Sequence, residues 1–128
     1  MNKKVLVVDD EETIRKFIKI QLGKAGYEVK EAADGEQAMV QLNGDRFDVL
    51  ICDIMMPKKS GWEVLREVRS NPRTSEIPVI VLTAKNEDDD MFKGYEMGAT
   101  YYITKPFTKS QLLFGLNTIF DKKKNSKY

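Results

Sequence analysis

Short apolar runs alternate with helical-period segments from one end of the chain to the other, and this alternation narrows the fold to one class. Val5-Leu6-Val7-Val8 is apolar at every position and reads as a strand buried on both faces. Ile14, Phe17, Ile18 and Leu22 follow at helical spacing, with Glu11 and Glu12 in the first turn, where the helix dipole favours acids. Gly26 is placed to stop that helix in a left-handed conformation. A second strand over 27–32 precedes a helix marked by Ala38, Met39 and Leu42. Val49-Leu50-Ile51-Cys52 is a third strand, and beyond the loop over 53–60 Trp62, Leu65 and Val68 share one face of a third helix.

Pro78 opens the fourth strand, Val79-Ile80-Val81-Leu82, and a fourth helix over about 87–97 ends at Gly98. Tyr101-Tyr102-Ile103 is the fifth strand. The last helix begins at Thr108-Lys109-Ser110-Gln111, a capping-box pattern, and carries Leu112, Leu113, Leu116, Ile119 and Phe120. Five β–α alternations predict an α/β fold in three layers, a doubly wound parallel sheet with helices on both faces and right-handed crossovers. With 128 residues the chain makes one domain, placed over 1–121, with a Lys-rich tail over 122–128.

The formal net charge of +1 hides an asymmetry: Lys122, Lys123, Lys124 and Lys127 lie in the tail, and without them 17 basic residues face 20 acidic ones. A generally basic nucleic-acid-binding surface is therefore not expected, and the tail reads as a solvated end. No apolar run approaches the roughly 20 residues that span a bilayer, and the four apolar residues after Lys4 are too few for a signal peptide, so a cytoplasmic protein is expected. The single Cys52 fits a reducing compartment and reads as a small buried apolar residue rather than a redox sensor. With no histidine in the chain, chemistry has to rest on carboxylates, hydroxyls and lysine.

Ligands of open α/β sheets sit outside the carboxyl ends of the strands. Asp9 and Asp10 follow the first strand, Asp53 the third, Thr83 the fourth and Lys105-Pro106 the fifth. Singly, each has a plain reading as a helix cap or a turn; together they converge on one sheet edge. Two unit charges about 4 Å apart repel by roughly 4 kcal/mol at an effective dielectric near 20, so three carboxylates call for protonation or a cation. Oxygen ligands with no nitrogen or sulfur donor favour Mg²⁺. A carboxylate can also act as the nucleophile and form an aspartyl phosphate, with a metal and Lys105 neutralising charge and Thr83 donating a hydrogen bond.

In their order along the chain these residues resemble the receiver domains of bacterial two-component response regulators, the stand-alone chemotaxis regulator among them. The matching stretches are Val5-Leu6-Val7-Val8-Asp9-Asp10, Asp34-Gly35, Asp53-Ile54-Met55-Met56-Pro57, Gly61, Val81-Leu82-Thr83-Ala84, Gly98-Ala99 and Tyr102-Ile103-Thr104-Lys105-Pro106-Phe107, and the likeness covers about residues 3–121. The resemblance implies the flavodoxin-like strand order 2-1-3-4-5, which the residue pattern itself does not give. It implies that Asp53 is the phosphorylation site and that Asp10, Asp53 and the Met55 backbone carbonyl bind Mg²⁺, with Asp9 acting through a water. Thr83 and Lys105 would contact the phosphoryl group, Ala84 would leave room for it, and the Lys105-Pro106 bond would be cis. Phosphorylation would draw Thr83 inward and turn Tyr102 from exposed to buried.

By the same resemblance the donor is a partner histidine kinase or phosphotransfer protein, or a small phosphodonor. The readout passes to a downstream protein, or to a phosphorylation-dependent dimer, through the predicted fourth helix, the fifth strand and the last helix. Such a chain takes part in phosphoryl transfer without being an enzyme with turnover, and needs neither membrane nor nucleic acid for its own part. Lys59 stands where the family usually has an apolar residue. Met55 and Lys85 flank the site with no carboxylate or amide to orient water, which implies slow self-hydrolysis. A haloacid-dehalogenase-type phosphatase would have a second acid at Met55, and a flavin-binding protein of similar fold would have a Ser/Thr-Gly-rich loop in place of Asp9 and Asp10. Trp62 and the Met55-Met56 pair read as packing residues, and Glu87-Asp88-Asp89-Asp90 as the solvated first turn of the fourth helix. Kinase, stimulus, target and the extent of the natural chain stay open.

Overall fold

Val5, Leu6, Val7 and Val8 have no solvent exposure at all, as an apolar strand at the centre of a covered sheet requires. The computed structural model describes residues 2–84 and 95–124, the last three by backbone alone. It contains β1 (Lys4–Val8), α1 (Glu12–Lys24), β2 (Glu28–Ala32), α2 (Gly35–Gly44), β3 (Val49–Asp53), α3 (Gly61–Ser70), β4 (Val79–Ala84), β5 (Tyr101–Lys105) and α4 (Lys109–Lys124). The strands form one parallel sheet in the order β2-β1-β3-β4-β5.

Successive side chains of a strand point to opposite faces, so each apolar strand feeds two cores. Leu6, Val8, Leu50, Cys52 and Val81 pack with Ala38 and Leu42 of α2 and Val64, Leu65 and Val68 of α3. Val5, Val7, Ile51, Ile80 and Leu82 pack with Ile18 and Leu22 of α1 and Leu112, Leu116 and Ile119 of α4. The predicted caps are present: Gly26 has φ +98°, and Thr108 and Gln111 exchange side-chain and backbone hydrogen bonds at 2.8 and 3.1 Å.

Three strands run past their apolar cores, into Asp53, Thr83-Ala84 and Thr104-Lys105. The ladder needs only backbone partners, and Thr83↔Thr104 and Ala84↔Lys105 continue it. This extension levels the strand ends, with Val8 opposite Cys52, Asp53 opposite Leu82 and Ala84 opposite Lys105. The last helix continues through Lys124, so three lysines assigned to the tail are helical. Most of the predicted fourth helix, with Lys85 and the Glu87–Asp90 acids, lies outside the described residues. No helix among the described residues is long and apolar enough to cross a membrane.

Arg69, on α3, anchors the far end of the sheet. Its guanidinium donates to the carbonyls of Ser75 (3.1 Å), Ile77 (2.6 Å) and Gly98 (2.7 and 3.1 Å), joining α3 to the approaches of β4 and β5. Arg69→Ala removes a charged donor from three carbonyls and is expected to cost about 2–4 kcal/mol in urea unfolding. Arg69→Lys should recover only part, because one ammonium cannot reproduce the fork.

Candidate functional site

The level strand ends bring Asp9, Asp10, Asp53, Thr83 and Lys105 together, and carboxylate oxygens of the three acids lie within 4.8 Å of one another. Asp9 is fully buried and Asp53 and Thr83 nearly so, whereas Asp10 is exposed. Lys105 sends its ammonium between the acids, 3.0 Å from Asp9 Oδ2 and 3.4 Å from Asp53 Oδ1, with Glu11 Oε1 at 3.7 Å. Asp9 Oδ1 accepts from the Glu11 amide at 2.9 Å. Besides Lys105, Asp53 Oδ1 receives a long contact, 3.4 Å, from the Met55 amide. Lys105-Pro106 is cis.

One ammonium against three carboxylates leaves the site rich in negative charge. Burial, and then the charge of Asp9, push the Asp53 carboxyl up to about 6, against the pull of Lys105. Burial pulls the Lys105 ammonium down, but Asp9 and Asp53 outweigh it and hold it above the ordinary lysine value. Among the described residues Asp9 Oδ2 and Thr83 Oγ1 are buried without an aligned hydrogen bond, Asp9 Oδ2 being ion-paired with Lys105. Clustered carboxylate oxygens and excess negative charge together fit a hard divalent cation.

The Asp53 loop is held from below. The Ile54 amide donates to Leu82 O at 3.0 Å and the Gly61 amide to Ile54 O at 2.8 Å. A β-carbon on Gly61 would lie 2.3 Å from the Asp53 carbonyl oxygen and 2.7 Å from Ile54 Cα. Ser60 and Glu63 form a reciprocal capping box at the start of α3. Lys59, the residue out of family pattern, lays its stem against Gly35 and pairs its ammonium with Glu67. Lys58, before it, has φ +68°.

Other expected positions differ in detail. Tyr102 is already buried, its ring packed in the α2–α3 core and 6.1 Å from that of Tyr95, so the exposed orientation implied for its resting position is not the one present. Met56 is buried but Met55 is 69% exposed, so only Met56 of the pair is a packing residue; Trp62 packs against the core. Cys52 is buried, and burial with the neighbouring Asp53 and Asp9 charges pushes its thiol far up, which disfavours the reactive thiolate. Ala84 lies beside a mostly apolar groove lined by Ile14, Phe17, Pro106 and Phe107. Sequence reasoning missed Arg15, whose guanidinium donates to the Asp9 carbonyl at 2.8 Å, and its partner Glu31 at 3.1 Å.

The family model for the response regulator receiver domain matches residues 5–117. The alkaline phosphatase synthesis transcriptional regulatory protein PhoP of Bacillus subtilis is 41% identical over 112 residues, covering 88% of this chain and 46% of that protein. The phosphate regulon transcriptional regulatory protein PhoB of Pseudomonas aeruginosa is 40% identical over 119 residues, covering 93% and 52%. The chain thus spans about half the length of these curated relatives. Among solved structures, chemotaxis protein CheY4 of Vibrio cholerae superposes with a TM-score of 0.88 at 37% identity, covering 92% of this chain and 98% of that one. A response regulator described as putative, from Chloroflexus aurantiacus, gives 0.90 at 35% identity, covering 93% and 98%.

Proposed function

The chain belongs to the response regulator receiver domain family, the phospho-acceptor switches of two-component signalling, and from that premise we propose that Asp53 is the residue that takes the phosphoryl group. In this reading Asp10, Asp53 and the Met55 backbone carbonyl hold Mg²⁺, with Asp9 engaged through a water. The observation that carries it is the division of labour among the acids. Asp9 is tied to Lys105 and the Glu11 amide and Asp10 is exposed, while both polar contacts of buried Asp53 among the described residues fall on Oδ1, leaving Oδ2 to attack.

The Asp53 oxygen forms a bond to phosphorus as the P–N bond of a partner's phosphohistidine, or the P–O bond of an acyl phosphate, breaks and the leaving group keeps the electron pair. Bound Mg²⁺ would offset the charge of the phosphoryl oxygens. Lys105 offers a second positive charge, and the Thr83 hydroxyl, without a hydrogen-bond partner among the described residues, can donate to the transferred group, with the small Ala84 beside it. Drawing Thr83 toward the phosphoryl group would bias the packing around Tyr102, and the predicted helix over 87–97, β5 and α4 would present the result to a downstream protein or a second copy of the chain. The donor is a histidine kinase or phosphotransfer protein, and the setting cytoplasmic. Residues 1–121 act as the receiver and 122–128 as a basic tail, whose first three lysines continue α4. The exposed Met55 thioether cannot orient an attacking water, so self-hydrolysis should be slow.

Intact mass after incubation with acetyl phosphate and Mg²⁺ tests this. A gain of one phosphoryl group, about 80 Da, is expected in the wild type and absent in Asp53→Asn or with EDTA. Equal labelling of the Asp53→Asn chain would place the acceptor elsewhere.

A further inference from the structure

Asp10 is the acid whose direction the local chain fixes least: it is exposed, and its carboxylate makes no hydrogen bond or ion pair with the described residues. Its β-carbon leaves from a backbone whose preceding peptide plane contains the Asp9 carbonyl. Because a peptide is planar, whatever holds that carbonyl also sets the direction in which the Asp10 backbone starts. The group that holds it is Arg15, one turn into α1, donating to Asp9 O at 2.8 Å. Arg15 is itself held by Glu31 of the edge strand β2, at 3.1 Å, and both side chains are only 14% exposed.

Glu31 also collects Lys16 at 2.9 Å and Lys19 at 3.4 Å, so one carboxylate faces three cations of α1. Burial works against its charge, but the bonds from Lys16 and Arg15 outweigh that and keep the carboxyl below its ordinary range. A guanidinium bonded to the backbone of the acid pair brings positive charge close to where a cation is to bind. Glu31 cancels much of that charge while fixing the guanidinium in place.

We propose that Arg15 and Glu31 are positioning residues for the metal-binding acids: Arg15 sets the Asp9–Asp10 peptide so that Asp10 faces Asp53, and Glu31 orients Arg15 and screens its charge from the cation. This rests on the reading that Asp10 and Asp53 bind a divalent metal. Loss of a contact that supports a metal ligand typically weakens metal binding 10- to 100-fold.

The probe is Mn²⁺, titrated into wild type, Asp10→Asn, Arg15→Ala, Arg15→Lys and Glu31→Gln well below their unfolding temperatures, with free Mn²⁺ read by electron paramagnetic resonance. Wild type is expected to bind and Asp10→Asn to lose most of that binding. Arg15→Ala should bind about tenfold more weakly. Arg15→Lys should not restore affinity, since an ammonium lacks the fork that reaches both the carbonyl and Glu31. Glu31→Gln, which keeps the shape and frees the positive charge of Arg15 beside the Asp9 carbonyl, should weaken binding at least severalfold, and more so at low salt. The Asp10 amide resonance of the metal-free protein should also move in Arg15→Ala. Should Arg15→Ala fail to fold, Glu31→Gln and Arg15→Lys carry the test. Affinities within twofold of wild type in these variants, with Asp10→Asn still defective, would overturn the proposal and leave the metal reading standing. Absence of Mn²⁺ binding by the wild type would remove the metal reading itself.

Discussion

Gly61→Ala is expected to cost about 3 kcal/mol or more in folding stability, a loss at the upper end of what single overpacking substitutions produce. The added β-carbon would meet the Asp53 carbonyl oxygen at 2.3 Å and Ile54 Cα at 2.7 Å, both backbone atoms that no rotamer change can move aside. The chain can respond by moving α3 away, which breaks the Gly61 amide bond to Ile54 O, or by pushing out the Asp53–Ile54 peptide. The second response displaces the carboxylate at the centre of the site, so the fraction that stays folded should also take up phosphoryl groups at least tenfold more slowly, since misplacing a reacting group by about 1 Å can cost two orders of magnitude. Gly23→Ala is the matched control. It lies within α1 with nothing within 4 Å of its would-be β-carbon, and should gain roughly 0.5–1 kcal/mol. Urea unfolding reads both signs. A Gly61→Ala stability within 1 kcal/mol of wild type would mean that the loop absorbs the methyl without strain.

Gly61 also illustrates how far the sequence alone could reach. Its letter belongs to the family pattern, but its reason lies in an approach between the end of β3 and the start of α3 that no spacing rule contains. The inner strands were readable because burial on both faces leaves no polar position to confuse the period, as Val5–Val8 and Val49–Leu50–Ile51 illustrate. Their ends were not: Thr83, Ala84, Thr104 and Lys105 remain in the ladder through backbone bonds to which side-chain polarity is irrelevant. The residue pattern gave a parallel sheet but not its permutation, because the apolar strands β1, β3 and β4 look alike along the chain whatever their order. The acids, Thr83 and Lys105 were legible because strand ends are where open sheets place chemistry. Arg15 and Glu31 were not, since charged residues on a helix and an edge strand read as solvated, and their pairing exists only once α1 lies across β2. Phe17 fits the helical stripe but sits at its rim, 37% exposed and 6.2 Å from the Phe107 ring.

The second large effect concerns what the acid pocket costs the fold. In metal-free protein the Asp53 carboxyl, pushed up to about 6 from an ordinary 3.8, binds its proton more tightly folded than unfolded. Between those two values the folded state therefore carries the extra proton, stability falls as pH rises through roughly 4 to 6, and above that the full penalty remains. At about 1.4 kcal/mol per tenfold change in proton affinity, the penalty at pH 7 is at most roughly 3 kcal/mol. Asp53→Asn removes the charge while its amide can still accept from Met55 and donate toward Asp9, and Lys105 keeps Asp9 as a partner. In EDTA at pH 7 the variant should be more stable than wild type by about 1–3 kcal/mol, with the gap closing toward pH 4. Lys105→Ala should move the other way by about 3 kcal/mol or more, because it leaves Asp9 and Asp53 buried beside each other with no cation. Adding Mg²⁺ should then stabilise wild type and, most of all, Lys105→Ala, with Asp53→Asn responding least. Thermal unfolding across pH 4–8, with and without Mg²⁺, measures all three. A wild type that matched Asp53→Asn at every pH in EDTA would show that neither burial nor the Asp9 charge penalises the Asp53 carboxylate, and with that the electrostatic reason for a cation at this sheet edge would be gone.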